Sequence, residues 1–82
     1  MIVLPISKRL SGYFGKHQLV KMFEKQKALF EVNHFHPSLH TELLEPHRYR
    51  VYSFRITKKY RAVFVYVGSD TVKILDINDH YQ

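Results

Sequence analysis

The chain has no cysteine among its 82 residues. Without thiols it can form neither a disulfide framework nor a thiolate zinc site, and the composition is compatible with a reducing compartment. No apolar run approaches the length of a membrane span, and residues 1–6 lack the basic start of a signal peptide. We therefore expect a cytoplasmic protein with no membrane partner.

Acidic residues are also scarce. Seven Asp and Glu stand against thirteen Lys and Arg, which gives a formal net charge of +6 and a pI near 9.7. A net positive domain attracts polyanions and gains affinity by releasing their counterions. The composition favours nucleic acid as a partner. An acidic protein is the alternative, because the electrostatic field of a positive domain would attract it equally well.

Hydrophobic residues make up 45% of the chain and aromatic residues 15%. That content suffices for one core, so we expect a single domain over residues 1–82. Residues 1–6 are apolar and predict a strand at the edge of a sheet, because Pro5 has no N–H to donate to a neighbouring strand.

Two helices are predicted to follow. Ser7 is a plausible N-cap for the first, which should be short, because Gly12 and Gly15 predict a break. An apolar stripe with a period of 3.6 residues predicts the second helix near residues 16–32.

Three strands are predicted near 50–56, 60–67 and 71–77, after a loop over residues 33–46. The order is β-α-α-β-β-β. It predicts an α+β fold in which two N-terminal helices pack on one face of a mainly antiparallel four-stranded sheet.

Two arginines flank the predicted turn Thr57-Lys58-Lys59. If the turn has these three residues, the antiparallel register places Arg55 directly opposite Arg61, on the same face. Like charges in this position are destabilising unless an anion lies between them, which predicts a clamp for a phosphate or carboxylate on an open end of the sheet. Exposed arginines that merely cover apolar neighbours are the alternative.

The side of the sheet on which Asp76 lies depends on the turn before it. A three-residue turn over residues 68–70 would place Asp76 opposite the arginine face. A two-residue turn at Ser69-Asp70 would place it on that face. The sequence leaves both open.

The histidines are candidates for metal binding or proton transfer. His34, His36 and His40 have spacings that can converge on zinc, but Pro37 interrupts the helix that would align the last two, and we expect no metal site. His80 follows the last predicted strand directly, and an imidazole there could donate or accept a proton near neutral pH. A frayed tail with an incidental histidine is the alternative.

Several short motifs occur in a distinctive order and spacing. They are His36-Pro-Ser-Leu39, Leu44, Tyr52-Ser-Phe-Arg-Ile56, Tyr60-Arg-Ala-Val-Phe64, Leu75-Asp-Ile77 and His80. Together they resemble the RelE/ParE toxin superfamily of bacterial type II toxin–antitoxin systems, and the likeness spans nearly the whole chain.

The resemblance implies a small basic toxin that enters the ribosome and cleaves messenger RNA without a metal ion or other cofactor. In that reaction the ribose 2′-hydroxyl attacks the adjacent phosphate, giving a 2′,3′-cyclic phosphate and a free 5′-hydroxyl. The implied partners are a cognate antitoxin protein, the ribosome and mRNA. Operator DNA would be bound only through the antitoxin complex.

The resemblance also implies roles for individual residues. Arg55 and Arg61 would stabilise the charge that grows on the phosphate in the transition state. His80 would be the general acid, and Tyr81 would orient or stack on a base. Glu42 is a candidate for the general base. The expected RNA contacts are Arg50, Ser53, Lys58 and Lys59.

Two other functions are compatible with the same resemblance. ParE-like members inhibit DNA gyrase without cutting RNA, and they generally lack the terminal histidine, so His80 favours the nuclease. An inactive homologue that only binds its antitoxin is the third possibility. The chain departs from many relatives at Asn78, where they have glycine, and in having only Tyr81 and Gln82 beyond the histidine.

Overall fold

Two helices on one face of a five-stranded mixed sheet form the fold in the computed structural model, which describes residues 1–79. The elements are β1 (Ile2–Val3), α1 (Lys8–Lys16), α2 (Val20–Val32), β2 (Glu42–Leu43), β3 (Tyr52–Arg55), β4 (Arg61–Tyr66) and β5 (Thr71–Asn78), with short 3₁₀ turns at Pro37–Leu39 and His47–Tyr49. The strands lie in the order β1-β5-β4-β3-β2; β1 is parallel to β5 and the other pairs are antiparallel. The predicted α+β class is confirmed.

The core lies between the helices and the sheet. Its buried apolar side chains are Val3, Leu10, Phe14, Leu19, Phe23, Phe30, Leu39, Phe54, Ile56, Ala62, Phe64, Val72 and Ile74. The ring of Phe30 packs on Phe54 and Phe64, with centroids 5.0 and 5.1 Å away. Burying a phenylalanine contributes about 1.5–3 kcal/mol relative to leaving it exposed. The packing of the helices on this face of the sheet leaves the opposite face for contacts with other molecules.

The helix boundaries correct the prediction. Gly12 and Gly15 do not separate the helices, because α1 continues through both of them to Lys16. Leu10 and Phe14, one turn apart on α1, are both buried, and their burial outweighs a cost of about 1 kcal/mol for each helical glycine. The break instead follows at residues 17–19.

The ends of α1 explain where it starts and stops. Ser7 caps it as predicted: the Leu10 N–H donates to Ser7 Oγ at 3.2 Å. Gln18, just past the helix, has a φ of 58°, a left-handed conformation that cannot continue it. Within residues 1–79 the longest helix, α2, has 13 residues, and no helix there has the length and apolar character to cross a bilayer.

The prediction of a loop over the whole of residues 33–46 is partly wrong, because the segment contains a strand. Glu42–Leu43 forms β2 and pairs with β3 through Glu42 with Ser53 and Leu43 with Tyr52. Over residues 1–79 the sheet therefore has five strands rather than four. A strand of two residues offers no alternation from which it could be predicted.

A β-bulge determines the position of Asp76. Tyr66 pairs with Val72, so the turn before β5 is of the three-residue kind, which by regular alternation would place Asp76 opposite the arginine face. Leu75 is an extra residue in β5, however, and shifts the register so that Val63 pairs with Asp76. Asp76 therefore lies across from a residue of the arginine face.

Candidate active site

Arg55 and Arg61 are directly opposed partners in β3 and β4, as the register predicts. The turn between them is closed by two bonds to the Tyr60 carbonyl, from the N–H groups of Ile56 at 2.9 Å and Thr57 at 3.1 Å. Thr57 Oγ1 also accepts from the Tyr60 N–H at 3.2 Å. The side chain of Thr57 thus fixes the turn that sets the register of the two arginines.

The predicted open clamp is wrong for Arg61, whose side chain is only 3% exposed. Its Nε donates to Ser53 Oγ at 2.8 Å. Its Nη2 donates to the Ser53 carbonyl at 3.2 Å and to the His40 carbonyl. Neutral oxygens hold this guanidinium beneath the surface, which is how a cation is tolerated in a buried position.

Ser53 was predicted to contact RNA, but it is buried beside Arg61. It is 1% exposed, and its hydroxyl and carbonyl both accept from Arg61, so it holds the guanidinium and does not face RNA. His40 contributes through its backbone. It lies in the left-handed conformation, with a φ of 45°, at the end of the 3₁₀ turn that precedes β2. Sequence reasoning could not find this carbonyl, because it carries no side-chain signal.

Glu42 lies beside the buried guanidinium. Its Oε1 is 3.7 Å from Arg61 Nε, and its side chain is 54% exposed. Glu42 reaches this position because β2 pairs it with Ser53, the residue that binds Arg61. The arrangement places a solvent-accessible carboxylate against a fixed, desolvated cation.

The predicted RNA contacts lie at two ends of β3. Lys58 and Lys59 are exposed in the turn that joins the arginine strands, and Lys59 Nζ lies 5.4 Å from the centroid of the Tyr60 ring. Arg50 is exposed just before β3, at its other end. Lys58 and Lys59 therefore border the arginine pair, whereas Arg50 does not.

A surface depression of about 430 Å³ lies next to the arginine strand. It is lined by Val63, Asp76, Ile77, Asn78 and Asp79. Asn78 pairs with Arg61 across β4 and β5, so the depression adjoins the candidate site. The predicted acid His80 and the stacking residue Tyr81 follow in sequence but lie outside the described residues.

Tyr13 is a neighbour of this region that the sequence did not indicate. Desolvation by partial burial, and then the negative charge of Asp79, raise the pKa of Tyr13 above its ordinary value of 10.0. Its ring contacts His17, with centroids 4.2 Å apart, and the edge of Tyr60 at 6.3 Å. These rings tie α1 to the end of β4 beside the arginine turn.

Two histidines of the segment 33–46, His34 and His36, have structural partners. His34 Nδ1 shares a hydrogen bond of 2.7 Å with the Tyr66 hydroxyl, and His36 Nδ1 accepts from the Ser38 N–H at 3.1 Å. Within residues 1–79 no three His, Asp or Glu side chains converge to hold a metal ion.

Comparison with known proteins identifies the fold. No family model and no curated protein matches the chain. Among solved structures, it is similar to a YoeB/ParE toxin from Agrobacterium tumefaciens, at 18% identity over 98% of this chain and 96% of the other, with a TM-score of 0.71. It is also similar to the YoeB dimer of Staphylococcus aureus, at 23% identity over 98% and 94%, with a TM-score of 0.70.

A third similar structure is the heterotetrameric YoeB–YefM toxin–antitoxin complex of Staphylococcus aureus, again at 23% identity over 98% and 94%, with a TM-score of 0.69. At such identities the similarity establishes a shared fold.

Proposed function

We propose that this chain, which has the fold of the YoeB and ParE toxins, is the toxin of a toxin–antitoxin pair and a ribosome-dependent mRNA endoribonuclease. The observation that carries the proposal is the Glu42 carboxylate 3.7 Å from the buried Arg61 guanidinium. A basic chain with a net charge of +6 presents this pair to an anionic substrate.

The reaction assigned to the site is an internal phosphoryl transfer. Glu42 accepts the proton of the ribose 2′-hydroxyl as its oxygen bonds to phosphorus. The bond from phosphorus to the 5′ oxygen then breaks, and His80 supplies the proton to that oxygen. The products are a 2′,3′-cyclic phosphate and a free 5′-hydroxyl. Tyr81 stacks on a base and orients the strand.

The two arginines have different roles in this scheme. Arg61, at 3% exposure, acts as a fixed charge that positions Glu42 and whose field is poorly screened by solvent. Arg55 is half-buried on the same face and stabilises the phosphate oxygens as their charge grows. Lys58 and Lys59 guide the backbone toward the pair.

The partners follow from the same proposal. One similar structure is a YoeB–YefM toxin–antitoxin complex, and we assign this chain a cognate antitoxin. An acidic segment of that antitoxin would cover the basic sheet, and operator DNA would be reached only through the complex. The substrate, mRNA on the ribosome, places the toxin in the cytoplasm.

One observation favours a second candidate. One of the similar structures is described as a YoeB/ParE toxin, and that description also includes the ParE type. The alternatives are therefore a ParE-like inhibitor of DNA gyrase and an inactive homologue that only binds its antitoxin.

One experiment separates these functions. The chain and its Glu42→Gln variant are expressed inducibly, mRNA ends on translating ribosomes are mapped, and gyrase supercoiling is assayed in parallel. Codon-positioned cuts with 5′-hydroxyl ends in the wild type, lost in the variant, support the nuclease. Inhibited supercoiling with intact messages supports the gyrase inhibitor. Neither effect in the presence of a folded chain supports the inactive homologue.

A further inference from the structure

The hairpin loop between β2 and β3 carries an exposed basic and aromatic sequence. Its residues His47, Arg48, Tyr49 and Arg50 are all exposed, and Tyr49 is 61% exposed. A tyrosine ring this far from the core contributes little to folding. The exposed ring and the basic side chains beside it are therefore available to bind a ligand at the surface.

Tyr49 forms a stacked unit with its neighbour. The guanidinium carbon of Arg48 lies 4.9 Å from the centroid of the Tyr49 ring, and Arg48 Nη2 donates to the Tyr49 hydroxyl at 3.3 Å. A planar cation on an aromatic ring is a common platform for unpaired bases, because every base has a π-face to add to the stack. Arg50 adds a second guanidinium one residue away.

The loop is held in one conformation by its own backbone. The Tyr49 N–H donates to the Pro46 carbonyl at 3.2 Å, and the Arg50 N–H donates to the His47 carbonyl at 3.1 Å. Below it, the Leu44 N–H closes the hairpin on the Val51 carbonyl at 2.8 Å. A ligand that binds an ordered loop loses less entropy than one that must order it.

Arg50 occupies a backbone position that disfavours it. Its φ is 53°, in the left-handed region that glycine and asparagine adopt at least cost. An arginine here costs stability relative to glycine, which points to a use for its charge. The acidic residue of the loop, Glu45, is paired with His47 at 3.1 Å, and the two arginines outnumber it.

The loop is also close to the candidate active site along the chain. Ser53 is four positions after Tyr49, so the two Cα atoms are at most about 14 Å apart even in a fully extended chain. Glu42 lies on the other strand of the same hairpin. A strand bound at Glu42 therefore needs to extend only a short way to reach the loop.

We propose that the loop of residues 47–50 binds single-stranded RNA next to the cleavage site, with a base stacked on Tyr49 and phosphates bound by Arg48 and Arg50. The inference rests on the proposed function in that the RNA held here is the strand that is cut. The exposed ring favours RNA over an acidic protein segment, because a base can stack on the ring. The carboxylates of an acidic segment would need only the two guanidiniums.

The test measures binding to a short single-stranded RNA with a 2′-O-methyl group on every ribose, which cannot be cleaved. Tyr49→Ala should weaken binding by about 5- to 150-fold. Tyr49→Phe, the matched control, should retain the wild-type affinity because it keeps the stacking ring. If the wild type does not bind this RNA, or if Tyr49→Ala binds it as tightly as the wild type, the inference is overturned.

A second variant tests the charge independently. Arg50→Gly should raise or preserve the melting temperature, because glycine suits the left-handed backbone, and should also weaken RNA binding. The slope of log Kd against log salt concentration should fall by about 0.7, the value for one phosphate contact on a single strand. An unchanged slope and affinity would overturn the role of Arg50.

The same variants distinguish the alternatives. Polyglutamate serves as a probe for an acidic protein segment. If Tyr49→Ala and Arg50→Gly bind RNA as tightly as the wild type but no longer bind polyglutamate, the loop is a protein-docking element and the inference is overturned. RNA binding through the loop without any cuts on translating ribosomes would instead refute the nuclease and support only the RNA-binding part of the inference. Cutting by the wild type and by both loop variants at equal rates, with equal RNA affinity, would refute only the inference.

Discussion

Glu42 and Arg61 form a pair in which one partner is exposed and the other is buried: 3.7 Å separates Glu42 Oε1 from Arg61 Nε, at side-chain exposures of 54% and 3%. Three neutral oxygens accept hydrogen bonds from Arg61, two from Ser53 and one from His40. They replace part of the hydration that the guanidinium loses on burial, and Glu42 adds an opposite charge from the solvent side. Its side chain is exposed to solvent, while β2 and the fixed charge of Arg61 set its position.

Glu42→Gln should abolish most activity and leave the fold intact. Removing a general base commonly lowers the rate by about 10²- to 10⁴-fold. The loss of the Glu42 charge beside the buried Arg61 should cost only about 1–3 kcal/mol of stability, because the hydrogen bonds of Arg61 to Ser53 and His40 remain. Cleavage of mRNA on purified ribosomes and urea unfolding measure the two effects. Glu45→Gln, in the neighbouring loop, is the matched control and should cleave normally. Wild-type cleavage by Glu42→Gln would remove Glu42 from the mechanism.

Ser53→Ala should destabilise the protein, because it leaves Arg61 Nε without its hydroxyl acceptor in a buried position. A buried donor that loses its partner costs about 1–3 kcal/mol. The free energy of unfolding in urea measures this loss, with Ser69→Ala in an exposed turn as the control that should change little. A Ser53→Ala protein as stable as the wild type would show that water or another group replaces the hydroxyl.

Much of this arrangement is encoded in patterns that sequence reasoning can use. The turn Thr57-Lys58-Lys59 and the alternation of the flanking strands were enough to predict that Arg55 faces Arg61, and the structure confirms that pairing. The burial of Arg61 could not be predicted in this way. It depends on a backbone carbonyl of His40 and on a strand of two residues, and neither leaves a period or motif in the sequence.

The missed helix boundary has a related cause. Glycine marks breaks by local preference, but the buried contacts of Leu10 and Phe14 are made with distant parts of the chain and outweigh that preference. Tertiary packing of this kind is invisible to a local pattern. The roles of His80 and Tyr81 remain predictions from the resemblance.

Gly12→Ala and Gly15→Ala should each stabilise the protein. Both glycines lie inside α1, neither has a positive φ, and a Cβ at either position would meet no atom within 4 Å. Alanine in a helix interior is favoured over glycine by about 0.5–1 kcal/mol. Thermal unfolding of the single and double variants measures the gain, which should be additive. A loss of stability in either variant would contradict this expectation.

Stability should fall in alkaline solution through two tyrosines. Burial, then the charge of Asp79, raises the pKa of Tyr13 above 10.0, and burial, then Tyr52, raises the pKa of Tyr66. Between the unfolded pKa and the raised folded pKa, only the folded state keeps the proton. The stabilisation is therefore complete below about pH 10 and is lost as the pH rises through the folded values.

The pH dependence of urea unfolding tests this expectation. The Tyr13→Phe and Tyr66→Phe variants should each lose stability less steeply above pH 10 than the wild type. Near-ultraviolet absorbance follows the phenolates directly. Equal slopes in all three proteins would contradict the assigned shifts.

Leu75 determines which way the last residues of β5 face. If Leu75 were paired in regular alternation instead of being bulged out, Asp76 would point into the layer where Ile77 now packs against the core, and Ile77 would take the exposed place. The bulge reverses the two sides for residues 76–78. A single position thus determines which face of β5 carries the Asp76 carboxylate.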